Sequence, residues 1–435
     1  MSTLKTVTFR IASFLKNIGN NIVFIPAMMG VGGVVLAVFM YYLESIGISE
    51  FLIDKVPFLV VNNYDTASTL LSTFSAGVLS ILVFSFSMVM LLLNQAGSNF
   101  SPRVLPSLIS VKSHQYIIGL FLGCILYCAV VLIGLKPTSN QYHLPGFSVL
   151  LGMLFTVVCL FSFIYFIDSI SKSIQVQNIL SNIFSHTRTR MEKKQEHDDK
   201  NVGDAHFNGQ IREPHHSTKS GYLREINEGR LLNVAADHQA KIDVVVLKGS
   251  FVLQDQLLFL SDKKLEDDVL NHCQDCFIID RRGENIKENY LLGFKQISEI
   301  GIRAMSPGIN DPATAITTID YLTELFSIQM HLRDGNQFLK DQDGNVWVSL
   351  QSANFKDLLY QVMTEYRQYC KADMSCMQKL VLMLQQLKKQ PQASAAHQKA
   401  IDSELLMLLQ DGEKALENLA DLEVFKSLFP ALPKK

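Results

Sequence analysis

The chain has 435 residues, 48% of them hydrophobic and 18% charged, with a formal net charge of −2. That length allows two or three domains, and the near-neutral balance gives no ground for nucleic-acid binding, which draws on a strong basic excess. The seven cysteines follow no disulfide-framework spacing, so a reducing compartment suits the polar part of the chain.

Over residues 1–20, Val7, Ile11, Phe14, Leu15 and Ile18 recur at helical spacing among Lys5, Arg10 and Lys16. This pattern predicts an amphipathic helix lying in the lipid interface. Four apolar stretches follow, Ile22 to Leu43, Ser68 to Leu93, Tyr116 to Leu135 and Phe147 to Ile167, each near the roughly 20 residues that cross a bilayer. No small-residue cleavage site follows the first, which therefore reads as a signal anchor, and Pro26 falls in its first turn. Cys124, Cys128 and Cys159 lie inside apolar runs and read as small core residues.

Cations set the expected orientation. Lys5, Arg10 and Lys16 precede the first span, Arg103 and Lys112 follow the second, and Lys172, Arg188, Arg190, Lys193 and Lys194 follow the fourth. Glu44, Glu50, Asp54 and Asp65 outnumber Lys55 between the first two. Both termini are thus expected on the cytoplasmic side, with short outer loops near Asp54 and Pro145.

The second span is the most polar. Thr69, Thr73, Ala76, Ser80, Ser87 and Asn94 share one helical face. Such a face serves either as a seam between packed helices or as the wall of a wetted pathway, and both readings turn it inward. Ser101, Pro102 and Arg103 mark the exit of this span. Asp168 reads as a boundary residue of the fourth span, beyond which Ile170, Ile174, Val176, Ile179 and Ile183 continue an apolar stripe as a helical connector, closing a transmembrane domain over 21–185.

Residues 186–221 are polar, lack a hydrophobic period and read as a flexible linker; their histidines match no metal-ligand pattern. An α+β domain is expected over 222–353. Its small β-rich unit has strands at Ile242–Val246 and Leu257–Leu260, a helix from Glu228 to Ala236, and Phe277–Ile279 as a further strand. A helix over 285–305 then runs into Arg303-Ala304-Met305-Ser306-Pro307-Gly308-Ile309-Asn310-Asp311-Pro312. Pro307-Gly308 breaks that helix, while Asp311 and Pro312 suit the cap and first turn of the next. The corner reads either as a plain helix-turn-helix junction or as a site where Arg303, Ser306, Asn310 and Asp311, with the following helix N-terminus, hold an anion or a partner's carboxylate. Phe338-Leu339 and Val346–Leu350 flank a hairpin turn, and 354–435 read as a helical bundle that Asn354 could open.

Cys273-x-x-Cys276 beside His272 is a single pair, with Cys370 and Cys376 distant in sequence, and packing outweighs metal or redox chemistry. No nucleophile elbow, phosphate loop, His-Glu zinc signature or obvious carboxylate pair is present. No catalytic residue, metal or cofactor is expected.

The corner RAMSPGINDPATA, with NQAGSNFSPRVLPS after the second span and YFIDSISKSIQV leaving the fourth, resembles the bacterial predicted membrane protein family called domain of unknown function 2254. The resemblance implies four spans, a cytoplasmic C-terminal region and an inner-membrane address, and supplies no activity. Glu288-Asn289 stands where relatives often carry Gln-Asp, and paired histidines near Asp168-Ser169 are absent.

The fold expected is therefore a membrane α-helical part of four transmembrane helices, then a soluble α+β domain with a small β-rich unit and a C-terminal helical bundle. The expected role is a homo-oligomeric channel or transporter in the lipid bilayer, gated by its soluble domain. The alternative is a membrane-anchored sensor or scaffold taking a partner or small anion at the corner.

Overall fold

Glycine decides how closely the membrane helices can approach. In the computed structural model, residues 23–46, 63–99, 112–135, 146–173, 175–200, 213–281 and 289–429 are described. The interfacial helix over 1–20, the outer loops, Ser101–Arg103 and the Glu288 position lie outside them. The chain forms two compact units, Met1–Ser98 with Val104–Gln175, and Asn99–Arg103 with Val176–Lys435.

The first unit holds four helices long and apolar enough to cross a membrane: α1 (Phe24–Ser45), α2 (Tyr64–Asn99), α3 (Lys112–Gly134) and α4 (Gly146–Ser173). These are the four predicted spans, the first shifted by two residues and the other three longer than predicted. α1 and α3 pack most intimately. A Cβ built on Gly33 would lie 2.2 Å from the Gly123 carbonyl oxygen, and one on Gly119 would lie 2.7 Å from Met29 Sδ. Only residues without a side chain permit this backbone approach, the usual device where lipid supplies no hydrophobic drive for association.

At one end of this unit Glu44, near the close of α1, accepts from Ser148 N (2.9 Å) and Ser148 Oγ (3.0 Å) in the first turn of α4. The acid thus meets orphan amides and the positive end of the helix dipole. Tyr127 of α3 donates to the Ser148 carbonyl at 2.8 Å, joining a third helix to the cluster. At the opposite end His114 Nε2 lies 3.1 Å from Ser169 Oγ, so α3 and α4 run antiparallel.

The second unit begins with α5 (Val176–Lys200). Sequence reading ended the helix near 185 and began a linker at 186, but the helix runs on to Lys200. Ile179, Leu180, Ile183, Thr187 and Met191 are buried along one of its faces, so the polar residues between them dress the outer side. α5 packs with α8 (Leu291–Ala304) and α9 (Pro312–Gln329). Gly293 of α8 meets Thr187 directly, where an added Cβ would fall 1.8 Å from Oγ1. Phe184 and Tyr321 rings sit 5.0 Å apart, and Arg188 bridges Glu192 and Glu324 at 2.8 and 2.9 Å.

Two sheets complete the α+β part. The strands are β1 (Glu213–His216), β2 (Gly221–Ile226), β3 (Ile242–Val244), β4 (Phe251–Val252), β5 (Leu257–Ser261), β6 (Phe277–Asp280), β7 (Gln337–Lys340) and β8 (Val346–Leu350). Five strands order as β1-β5-β3-β8-β7, antiparallel except for the β3–β8 pair, and three as β4-β2-β6. β1 and the start of β2 also fall inside the predicted linker. β6 pairs with β2 rather than with β3 or β5, and Phe259 and Phe277 stack at 5.6 Å inside the core shared by both sheets. Helices α6 (Glu228–Asp237) and α7 (Asp267–Gln274) flank them.

The C-terminal bundle comprises α10 (Phe355–Cys370), α11 (Met374–Lys388), α12 (Ala395–Ala415) and α13 (Leu419–Ser427). Asn354 caps α10 by accepting from Asp357 N at 2.7 Å, and Asp373, Ser394 and Asn418 cap the other three. The β7–β8 hairpin turns on Asp341, whose carboxylate accepts from the Asp343 and Asn345 amides and from Trp347 Nε1 at 2.6 Å. These same bonds hold the Asp341 carboxyl below its ordinary value, the tryptophan donor foremost.

Candidate functional site

Two places gather the residues that the sequence singles out. The first is the face of α2. Among its described residues Ala67, Leu71, Val78 and Ser85 are buried, with Leu71 reaching Gly152 of α4, where an added Cβ would lie 3.0 Å away. At about 100° per residue this seam spans roughly 40° of arc, and the face bearing Thr69, Thr73, Ala76, Ser80, Ser87 and Asn94 centres roughly 180° from it. All six of those residues are exposed. The expectation that this face turns inward is therefore corrected: leucine and valine supply more apolar contact than hydroxylated residues, and they take the bundle side.

The hydroxyls are not left without partners. Ser72, Ser80 and Ser87 donate to the carbonyls of Ser68, Ala76 and Val83 at 2.8, 2.9 and 3.0 Å, bonds within the helix itself. Each hydroxyl oxygen keeps its acceptor capacity. Beside them Gly77 has no atom within 4 Å of a built Cβ. The face is thus small in profile, able to accept hydrogen bonds, and uncovered among the described residues.

The second place is the corner. Met305 ends α8; Ser306 N donates to Arg303 O, and Ser306 O accepts from both Ile309 N and Asn310 N at 3.0 Å. Asp311 N closes the turn on Ala304 O at 2.7 Å. Asn310 adopts φ of 49°, a left-handed conformation that asparagine tolerates better than most residues. Asp311 caps α9, accepting from Thr314 N at 3.1 Å and Thr314 Oγ1 at 2.5 Å, with Pro312 in the first turn. The helix end considered as an anion site therefore already carries a carboxylate. Pro307 to Asn310 form an exposed tip, including Ile309 at 43% exposure, while Arg303 and Ser306 are half-buried.

Other candidates fall into the core. Cys273 and Cys276 are buried, with Cys276 Sγ donating to His272 O at 3.2 Å, and burial pushes the Cys273 thiol up to about 12. Neither is poised as a nucleophile. His215 sits between Ser261 Oγ (2.8 Å) and the Phe259 ring (4.7 Å), its pKa lowered by burial.

Sequence reasoning missed a charged cluster in the bundle. Arg367 of α10, 11% exposed, lies 3.5 Å from Glu404 and 3.1 Å from Asp411, both on α12. Burial, outweighing the attraction of Arg367, raises the 4%-exposed Glu404 carboxyl to about 7. Only the helix pairing brings these residues together.

Four apolar helices, mixed sheets and a helical bundle make this a multi-pass membrane protein with a soluble C-terminal region. The chain belongs to the predicted membrane protein family DUF2254, which it matches over residues 19–386. Uncharacterized proteins of Mycobacterium bovis and Mycobacterium tuberculosis are 22% identical to it over 333 residues, covering 73% of this chain. The match spans 62% of each relative's length. No solved structure matches the chain significantly.

Proposed function

We propose that the protein is a homo-oligomeric channel or transporter of the inner membrane, in which the outer face of α2 meets its counterpart in neighbouring copies and borders the path. The observation that carries this reading is the exposure of Thr69, Thr73, Ser80 and Ser87 opposite the α2 seam. In lipid such a face is usually covered by another helix or by water. The cation distribution supports cytoplasmic termini, with the soluble unit acting as the gate.

To test it, Thr73→Cys and Ser80→Cys are introduced and oxidised in native membranes. Disulfide-linked dimers support a copy-to-copy α2 face, and reaction of the same thiols with a membrane-impermeant reagent supports a wetted one. Reconstituted protein then carries ions or small solutes, and Ser80→Leu reduces that flux. Absence of cross-links together with silent liposomes defeats the reading.

The exposed tip from Pro307 to Asn310 favours a second reading, a scaffold that offers Ile309 to a protein partner. Ile309→Asp then removes a co-purifying partner while flux is unchanged. An identical set of co-purifying proteins counts against it.

A further inference from the structure

Two sulfur atoms meet at the root of the corner, and a third thiol interacts with one of them. Cys376, in the first turn of α11, places Sγ 3.7 Å from Met305 Sδ and 3.9 Å from the Pro312 carbonyl oxygen. Its thiol also interacts with that of Cys370, the last residue of α10. Both cysteines are free and completely buried, and Met305 is 9% exposed. We propose that Cys370, Cys376 and Met305 form a binding site for a soft monovalent metal ion, Cu(I).

The donor set carries the choice of ion. Thiolate and thioether ligands select Cu(I) over harder divalent ions, which prefer oxygen and imidazole. Among the described residues no three His, Cys, Asp or Glu side chains are grouped to hold a metal, so the thioether is what completes this set. A metal–sulfur bond of about 2.3 Å at trigonal angles separates ligand sulfurs by about 4 Å. The observed 3.7 Å between Cys376 and Met305 calls for only a slight spreading.

Binding is an exchange of ions. Two thiols release two protons, Cu(I) accepts two thiolates and the Met305 thioether, and the site moves from neutral to a single negative charge. Met305 immediately precedes the chain's turn toward solvent at Ser306, which offers the ion a short way in. Once bound, the ion ties the end of α8 to the α10–α11 turn. The assignment stands independently of the channel reading.

Full-length protein in detergent is titrated anaerobically with Cu(I) in competition with a chromophoric chelator. Wild type is compared with Cys376→Ser and Met305→Leu. Wild type is expected to take one more equivalent than Cys376→Ser, with sulfur-only coordination in copper X-ray absorption. Met305→Leu keeps the volume and apolar character of the site and should weaken that equivalent at least tenfold. The remaining cysteines are common to all variants, so their uptake cancels. Equal uptake by wild type and Cys376→Ser overturns the assignment. Should the serine variant fail to fold, a Met305→Leu affinity equal to wild type overturns it alone.

Discussion

Gly33 and Gly77 both sit in membrane helices, yet their surroundings are opposite. At Gly33 the Gly123 backbone stands where a side chain would go; at Gly77 nothing lies within 4 Å. The α1–α3 contact has thus consumed its small residues inside the chain, whereas among the described residues α2 keeps its small and hydroxylated face uncovered. A run of small residues announces close helix packing, but the competing apolar residues on the same helix decide which side faces the bundle. On α2, Leu71 and Val78 made that decision.

The comparison breaks first at Gly33. Gly33→Val drives a branched side chain into backbone that has no way to yield, and should cost more than about 3 kcal/mol. Size-exclusion profiles of a fluorescent fusion are expected to collapse into aggregate; a monodisperse, wild-type profile means the helices do not cross there.

The soluble unit offers a contrast of intermediate size. Glu404, raised from 4.5 to about 7 in the folded chain, binds its proton more tightly folded than unfolded. The sign follows: stability from this group is full below about 4.5, declines as pH rises toward 7, and is level above, a swing on the order of 3 kcal/mol. Melts of the full chain should show a lower Tm at pH 8 than at pH 5.5, and Glu404→Gln should flatten that slope. A slope unchanged by the substitution removes Glu404 as its source.

The smallest effect belongs to Gly77. Gly77→Ala meets open space and gains helix propensity, so monomer stability should move by less than about 1 kcal/mol, toward greater stability. A large loss of folded monomer would show that α2 is covered within its own chain. Read alongside Gly33→Val, it measures how differently the two glycines are employed.

The spans were legible because hydrocarbon demands long apolar runs, and Phe24–Ser45 and its successors contain few residues that interrupt them. α5 was harder. Thr187 and Met191 continue the buried spacing of Leu180 and Ile183, but they stand in HTRTRMEKKQEH, where charge density masks the period. β1, with sequence EPHH, resembles a linker until His215 is seen between Ser261 and Phe259. At the corner, the Asp311 cap and Pro312 start were readable from local chemistry. The Met305–Cys376 contact was not, because its partners lie 71 residues apart and no local rule connects them.

Glu44 and Ser148 are separated by 104 positions. On the ribosome, the carboxylate therefore emerges long before the amide it will meet. A nascent polypeptide halted after three insertions therefore lacks both of the bonds that Ser148 gives this carboxylate. Only the last hydrophobic segment supplies those two donors, so the final crossing completes the end of the first.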